Sequence, residues 1–255
     1  MIEKVIEIVK DASIIMLDNN FDVVEKSGVE NIVTSNDVRV QKYLIEKLKE
    51  LLPDSGFLVE EENDNDITKD YIWVIDPIDG TTNYSRNIPV CAICVGLKYK
   101  EEMVLGVVYN PFAHKLYHAV KGEGSYLNGQ RIHVKERPFN ESIFYSSFDA
   151  YHKNRSHVMF NFLNNIFPYV NDIRRTGSAA LEICEVAEGL GDLYLEYQLY
   201  PWDIAAASLI LTEAGGYMCS LDINHLPLDR PTLGMCAASQ ENLKKLNDFA
   251  LKSLG

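Results

Sequence analysis

Two aspartates three residues apart, Asp76 and Asp79, follow an apolar run and form the most promising chemical group in the sequence. The run Tyr71–Ile75 is rich in β-branched and aromatic residues, so it predicts a buried strand that ends directly at Asp76. Pro77 and Gly80 favour a turn in which the two carboxylates converge, and such oxygen donors suit hard cations such as Mg²⁺. A bare D-x-x-D is more often a pair of solvated turn aspartates. The longer string Asp-Pro-Ile-Asp-Gly-Thr-Thr after an apolar strand is much more specific.

Two further segments place acidic or small residues at the start of a predicted helix. Asp203 precedes the apolar run 204–211, and an aspartate there is usually a helix cap. That structural interpretation is the stronger one for Asp203 taken alone. The segment Gly177–Ala180 leads from a strand into a helix, and such a start can hold a phosphate or hydroxyl group. Small residues there serve close helix packing equally well.

These segments need a sheet and helices to bring them together, and hydrophobic periodicity predicts both. The predicted helices cover residues 1–18, 40–51, 158–167, 179–188, 203–214 and 240–251. The predicted strands cover residues 57–59, 71–75, 91–97, 104–109, 116–119, 126–127, 132–134, 144–147, 171–175, 193–196 and 216–220. Asn128-Gly129 predicts a hairpin turn, residues 24–31 a turn or short hairpin, and residues 63–70 an acidic loop. The alternation indicates an α/β architecture with helices on the faces of sheets.

Composition and charge exclude several classes of protein. The 255 residues carry a net charge of −13, which argues against a general nucleic-acid binder. An anionic substrate remains compatible with this charge if divalent cations bind first. The longest apolar runs are too short to cross a bilayer, and the N-terminus lacks the features of a secretory signal. Five scattered cysteines, an odd number, predict reduced thiols and a cytoplasmic location.

Taken together, the motifs resemble those of the inositol monophosphatase family, in order, from about residue 5 to residue 240. The matching segments are Val33–Asp37, Glu60-Glu61, Asp76–Thr81, Gly122–Gly124, Asn128-Gly129, Gly177–Ala180, Trp202-Asp203 and Glu213–Gly216. Glu62 adds a third acid after the acidic pair, so its register is open by one position. The spacing from Phe57 favours Glu60 as the matching residue.

The resemblance implies a mixed α/β fold of the layered αβαβα type, as in inositol monophosphatase and fructose-1,6-bisphosphatase, in one compact unit. An α+β half, residues 1–138, would carry most metal ligands, and an α/β half, residues 139–255, would carry Asp203 and the substrate contacts. Mg²⁺ is the implied cofactor, with two or three ions per site, and lithium inhibits many members. The implied ligands are Glu60, Asp76 and the Ile78 carbonyl for one ion, and Asp76, Asp79 and Asp203 for another.

The resemblance also implies roles in catalysis and binding. Asp37 and Thr81 would orient and deprotonate the attacking water, next to Glu60. The amides of three residues would bind the phosphate: Gly80, Thr81 and Thr82. Four residues would contact the alcohol portion: Gly177, Ser178, Ala179 and Glu196. Asp79 would also contact the substrate. Lys26 would lie in a mobile loop near the metals.

The implied reaction is hydrolysis of a small phosphate monoester by a metal-activated water, with inositol monophosphate as the nominal substrate. Relatives also cleave fructose 1,6-bisphosphate, the 2′-phosphate of NADP or 3′-phosphoadenosine nucleotides, and the choice depends on Glu196, Arg174, Arg175 and loops around residues 149–157. The alternative from another class is a regulatory protein that keeps the fold and binds RNA polymerase or RNA. The complete set of acidic residues speaks against a loss of catalysis. A homodimer is also implied, with no membrane and no nucleic-acid partner.

Overall fold

A computed structural model describes residues 1–18, 20–28, 31–61, 65–148, 153–221 and 226–254. Its α-helices are α1 (Ile2–Met16), α2 (Ser35–Leu51), α3 (Thr81–Tyr84), α4 (Ser156–Ile166), α5 (Ala179–Glu188), α6 (Pro201–Glu213) and α7 (Gln240–Leu254). Its strands are β1 (Val23–Gly28), β2 (Asn31–Thr34), β3 (Gly56–Val59), β4 (Tyr71–Asp79), β5 (Ala92–Tyr99), β6 (Glu102–Asn110), β7 (Lys115–Val120), β8 (Gly124–Leu127), β9 (Gln130–Ile132), β10 (Ile143–Ser147), β11 (Asp172–Arg174), β12 (Leu193–Leu199), β13 (Tyr217–Cys219) and β14 (Thr232–Ala237). The predicted helices and strands are confirmed, most of them with shifted ends, whereas α3 and β14 have no counterpart in the sequence prediction.

The strands form two large sheets and one hairpin. The first sheet has the order β3-β4-β5-β6-β7-β8-β9 and is antiparallel except for the parallel pair β3–β4. The second sheet has the order β11-β10-β12-β14-β13, and β10 is parallel to both of its neighbours. The residues of the first sheet all precede those of the second, but the division into two halves at residue 138 stays a prediction.

Helices cover both faces of both sheets. Buried side chains of α1 and α2 pack on one face of the seven-stranded sheet, and α5 and α6 fill the space between the two sheets. The outer face of the five-stranded sheet packs against α4 and α7. Successive side chains of β4 point to opposite faces of the sheet. Val74 packs against the central helical layer, and Trp73 packs against α1 and α2. This arrangement confirms the layered αβαβα fold.

Small residues let α6 lie directly on the seven-stranded sheet. A Cβ atom at Gly106 would lie 2.6 Å from the Ala206 carbonyl oxygen, and one at Gly96 would lie 3.3 Å from the Ala206 amide nitrogen. Glycine is therefore required at position 106, and a side chain at position 96 would crowd the same helix backbone. The contact fixes the start of α6, and with it Asp203, near the ends of the central strands. None of the helices formed by the described residues has the length and apolar character that a membrane span requires.

Candidate active site

Strand β4 carries Asp76 and Asp79 through an irregularity in its pairing with β5. Asp76 pairs with Cys94 and Asp79 pairs with Ala92, so β4 advances by three residues over a distance in which β5 advances by two. This extra residue is a β-bulge, which lets residues three positions apart reach the same side of the sheet. The prediction that the strand ends before Asp76 in a turn was wrong. A bulge within a longer strand brings the two carboxylates together.

Glu60 reaches the same place because β3 runs parallel to β4. Val59, the last residue of β3, pairs with Ile75, so the chain leaves β3 beside the bulge. After burial, the charge of Glu60 is the largest cause of the raised pKa of Asp76, which places the two carboxyls close together. Glu61 instead forms an ion pair with Lys26 at 2.6 Å. This geometry supports Glu60, rather than Glu61, as the acid that belongs with Asp76.

Asp203 is both a helix cap and a neighbour of the other carboxylates. Its Oδ2 accepts a hydrogen bond of 2.7 Å from the Tyr200 amide, at the start of α6. Burial raises the pKa of Asp203 well above its usual value, and the charges of Asp79 and Glu60 raise it further. The structural and functional interpretations of this residue are therefore compatible, because one carboxylate oxygen caps the helix while the group faces the cluster.

Asp79 is held by the first residues of α5. The Ser178 hydroxyl donates to Asp79 Oδ2 at 2.5 Å, and the Ala180 amide donates to the same atom at 2.9 Å. The Ala179 amide donates to Oδ1 at 3.3 Å. Polar groups of Ser178 and Ala179, two of the predicted substrate contacts, thus orient a carboxylate. The start of α5 therefore binds an anion that belongs to the protein itself, whereas a phosphate or hydroxyl group was the expected occupant.

Asp37 and Thr81 meet at the other edge of the cluster. Asp37 is fully buried, and its Oδ2 accepts from the Thr34 amide at 2.9 Å in a capping box at the start of α2. The Thr81 hydroxyl lies 3.2 Å from Asp37 Oδ1 and 3.0 Å from the Ile78 carbonyl oxygen. Burial raises the pKa of Asp37 to about 6. The pair has the contact that a base and its orienting hydroxyl require.

Glu196 approaches the cluster from β12 in the second sheet. Its Oε2 accepts a hydrogen bond of 2.7 Å from the Tyr194 hydroxyl. Burial raises the pKa of Glu196 to about 8; the charges of Glu182 and Asp79 add to this effect and that of Arg175 opposes it. The group therefore lies within electrostatic range of Asp79. Arg174 instead pairs with Asp172 at 2.5 Å on its own strand.

The remaining predicted positions lie where the cluster meets the surface. Gly80 has a φ of +90° and begins the single turn α3, which contains Thr81 and Thr82. Lys26 lies on strand β1 of the hairpin, where a loop was expected, and it contacts Glu60 at 3.6 Å in addition to Glu61. Much of the predicted specificity loop, residues 149–152, lies outside the described residues, as do residues 62–64.

The donor set fits hard divalent cations. Burial is the largest cause of raised pKa values at five carboxyls: Asp37 and Asp79 to about 6, Glu60 to about 7, and Asp76 and Asp203 well above their usual range. At Asp76 the charges of Glu60, Asp79 and Asp203 add to the effect. Within the described residues, no three His, Cys, Asp or Glu side chains already have the spacing of a metal centre. The aspartates among them accept hydrogen bonds instead from amides and hydroxyls. Buried, mutually repelling oxygen donors of this kind are what Mg²⁺ stabilises.

We expect the metal-free protein to lose stability as the pH rises. A carboxyl with a raised folded-state pKa stabilises the fold while protonated, and this contribution disappears as the pH rises through the folded-state value. The window runs from about 4, the unfolded pKa, to the folded values of about 6 for Asp37 and Asp79 and about 7 for Glu60. Burial lowers the pKa of His118, so this one histidine favours stability at higher pH, against the opposite effect of the several carboxyls. Urea unfolding in EDTA should give a smaller free energy of unfolding at pH 8 than at pH 5.5, and MgCl₂ should reduce the difference. An equal or larger free energy at pH 8 in EDTA would contradict this electrostatic description.

Three residues that contact the site were not singled out in the sequence. The Gln41 amide oxygen accepts from the Glu61 amide nitrogen at 2.9 Å. Asn83 and Glu182 both bond to the backbone before α5. Asn83 directly follows the Asp-Gly-Thr-Thr string, and Glu182 is a charge among the apolar residues 179–184 at the start of α5, which was an available signal. The five cysteines are free and buried, which agrees with the prediction of reduced thiols.

Comparisons with known proteins agree with this geometry. A family model described as the inositol monophosphatase family matches residues 1–252. The chain is 37% identical over 227 residues to a fructose-1,6-bisphosphatase/inositol-1-monophosphatase of Aquifex aeolicus, covering 84% of this chain and 85% of the relative. It is 36% identical over 204 residues to the Nus factor SuhB of Pasteurella multocida, covering 78% and 75%. A solved inositol monophosphatase from Anabaena (Nostoc) sp. PCC 7120 superposes with a TM-score of 0.86 at 25% identity, covering 99% and 95%.

Proposed function

Since this chain belongs to the inositol monophosphatase family, whose members are metal-dependent phosphatases, we propose that it hydrolyses a small phosphate monoester, with inositol monophosphate as the preferred substrate. The observation that carries the proposal is the convergence of Glu60, Asp76, Asp79 and Asp203, from one strand, one helix and one loop, on a single largely buried cluster. The five free, buried cysteines support a reducing, cytoplasmic compartment. A homodimer remains part of the proposal.

We assign the cluster to two or three Mg²⁺ ions. Glu60, Asp76 and the Ile78 carbonyl would hold one ion, and Asp76, Asp79 and Asp203 another, with a third near Glu60. Bound Mg²⁺ would neutralise the phosphate dianion, stabilise the leaving oxygen and make water more acidic. Such all-oxygen sites, bound through carboxylates and substrate phosphate, are the usual environment of this ion.

The residues of the chain itself would orient the reactants. Asp37 would take the proton of the attacking water, and the Thr81 hydroxyl, 3.2 Å from Asp37 Oδ1, would hold that water in place. The amides of Gly80, Thr81 and Thr82 precede the bonded part of α3, so they can donate to the phosphate oxygens. Glu196 would bond the hydroxyl groups of the alcohol portion. This role favours a polyol over an apolar alcohol.

A substrate panel tests the proposal. Inositol 1-phosphate, fructose 1,6-bisphosphate, NADP and 3′-phosphoadenosine 5′-phosphate should each be assayed for phosphate release with MgCl₂ and with EDTA. We expect metal-dependent turnover, with the highest kcat/KM for inositol 1-phosphate. Release from none of the four would refute the proposal, and a higher kcat/KM for another member would reassign the substrate.

The relative named Nus factor SuhB is the observation that favours a second candidate, a regulatory protein that binds RNA polymerase or RNA. The net charge of −13 makes RNA the less favourable partner. A strain that carries Asp79→Asn separates the two functions. Loss of the wild-type phenotype in this strain would support the enzyme, and full retention would support the regulatory role.

A further inference from the structure

The turn Thr176–Gly177 connects β11 to α5 and lies directly before the residues that hold Asp79. Gly177 has a φ of +88°, a conformation that favours glycine. The next residue, Ser178, caps α5 and donates its hydroxyl to Asp79 Oδ2. The direction in which the first amides of α5 point therefore depends on how this turn is fixed.

Glu182 holds the turn from the side of α5. Its Oε1 accepts from the Thr176 amide at 2.5 Å, from the Thr176 hydroxyl at 2.9 Å and from the Gly177 amide at 3.2 Å. The residue is completely buried, and its Oε2 has no hydrogen-bond partner. A buried carboxylate with one unpartnered oxygen is unfavourable by itself. All three hydrogen bonds of the Glu182 side chain go to this turn. We therefore infer that the role of Glu182 is to fix the turn.

Asn83 holds the same turn from the opposite side. Its Nδ2 lies 2.8 Å from the Thr176 carbonyl oxygen, 2.8 Å from the Val90 carbonyl oxygen and 3.4 Å from the Gly177 carbonyl oxygen. The approach is tight, because a Cβ atom at Gly177 would lie 3.1 Å from Asn83 Nδ2. One side chain thus binds the carbonyls of the turn while Glu182 binds its amides, which leaves the peptide little freedom to rotate.

We propose that Asn83 and Glu182 are positioning residues that fix the Thr176–Gly177 turn, and thereby the Ser178 and Ala180 donors that orient the Asp79 carboxylate for cation binding. The inference rests on the proposed function for the role of Asp79 as a metal ligand. Donors behind a ligating carboxylate set its orientation, and their removal typically weakens metal affinity by about 10–100-fold. Neither residue touches the substrate or the reacting atoms in this account.

The test is a calorimetric titration of the EDTA-stripped protein with MnCl₂, without substrate. Glu182→Ala and Asn83→Ala should each raise the Kd for Mn²⁺ by about 10-fold, the lower end of the range for direct partners of a ligand, because they act through the turn. The double variant should resemble the single variants, because both side chains act on one turn and their effects are not additive. Glu182→Gln keeps a carbonyl oxygen for the turn, so it should restore most of the affinity.

Glu185→Ala is the matched control, because it removes a carboxylate one turn further along α5. Glu185 accepts from the Tyr145 hydroxyl at 2.5 Å and makes no contact with the turn, so its Kd for Mn²⁺ should stay at the wild-type value. In assays, the half-saturating MgCl₂ concentration should rise with the Kd, while KM at saturating metal should change little. If Glu182→Ala does not fold, Asn83→Ala and Glu182→Gln decide the result.

Wild-type Mn²⁺ affinity in folded Asn83→Ala and Glu182→Ala would overturn the proposal, as would equal effects of Glu185→Ala. Fully additive effects in the double variant would also overturn it. A wild-type protein that binds no Mn²⁺ would overturn it too. A wild-type protein that binds Mn²⁺ and shows these shifts, but hydrolyses no phosphate ester, would refute the proposed function and leave the positioning role standing.

Discussion

Asp76→Asn should lower kcat by at least about 10³-fold, because the variant loses several kcal/mol of charge stabilisation, at 1.36 kcal/mol per factor of ten. Asp76 is the residue shared by both proposed ion sites. Its side chain is 2% exposed, and its Oδ1 accepts from the Ile78 amide at 2.9 Å. Asparagine has the same size and can keep this bond, so the fold should survive.

The same substitution should raise the Tm of the metal-free protein by a few degrees, at about 2–4 °C per kcal/mol for a chain of this size. Burial raises the pKa of Asp76 well above its usual value, and the charges of Glu60, Asp79 and Asp203 raise it further. Removing one like charge from this cluster relieves repulsion. Differential scanning fluorimetry in EDTA at pH 8 measures the shift.

Asp192→Asn is the matched control, because Asp192 is a fully buried aspartate with a cationic partner. Its Oδ1 lies 2.7 Å from Arg137 Nη1, and its Oδ2 accepts from the Ile143 amide at 2.9 Å. Loss of its charge should lower Tm, since it leaves Arg137 without its partner, while metal-dependent turnover should remain. If Asp76→Asn kept wild-type kcat, or if its metal-free Tm fell as in Asp192→Asn, the assignment of Asp76 would be wrong.

Asp37→Asn should lower kcat by about 10²–10⁴-fold, the usual contribution of a positioned general base. The asparagine oxygen can still accept from the Thr34 amide, so the cap of α2 should be largely kept, but the group can no longer take a proton. Thr81→Val removes the hydroxyl that lies 3.2 Å from Asp37 Oδ1. The double variant should be little slower than Asp37→Asn alone, because the two residues act as a unit.

Thr82→Val serves as the control for this pair, since Thr82 is the exposed neighbour of Thr81 in the same short helix. Its kcat should stay near the wild-type value. Circular dichroism and Tm would verify that all variants fold. Equal losses in Thr82→Val and Thr81→Val, or wild-type turnover by Asp37→Asn, would remove Asp37 and Thr81 from the proton-transfer step.

Local sequence patterns predicted most of the fold because its helices and strands have clear hydrophobic periodicity and end at recognisable turn or cap residues. The α5 helix has the predicted bounds, and β8 and β9 are joined at Asn128-Gly129, where a hairpin turn was predicted. Strand β14 was missed because Thr232–Ala237 includes a glycine and an alanine and follows a proline, which weakens the strand signal. The bulge in β4 was missed because Pro77 and Gly80 also fit a turn, and only the pairing with β5 distinguishes the two.

The candidate site was predictable in its residue types but not in its supporting contacts. The string from Asp76 to Thr82 can be recognised from its residue types alone. The roles of Asn83 and Glu182 depend instead on contacts with the Thr176–Gly177 turn that the folded structure creates. The dual position of Asp203, as a cap that also faces the cluster, likewise depends on the packing of α6 against the sheet. A local pattern carries no information about such long-range contacts.

A crystal structure of the protein soaked in MnCl₂, with anomalous difference maps, tests the central claim most directly. We expect at least two Mn²⁺ peaks within about 2.0–2.4 Å of carboxylate oxygens, shared among Glu60, Asp76, Asp79 and Asp203. Maps with no peak at this cluster, or with peaks only elsewhere on the protein, would contradict the account.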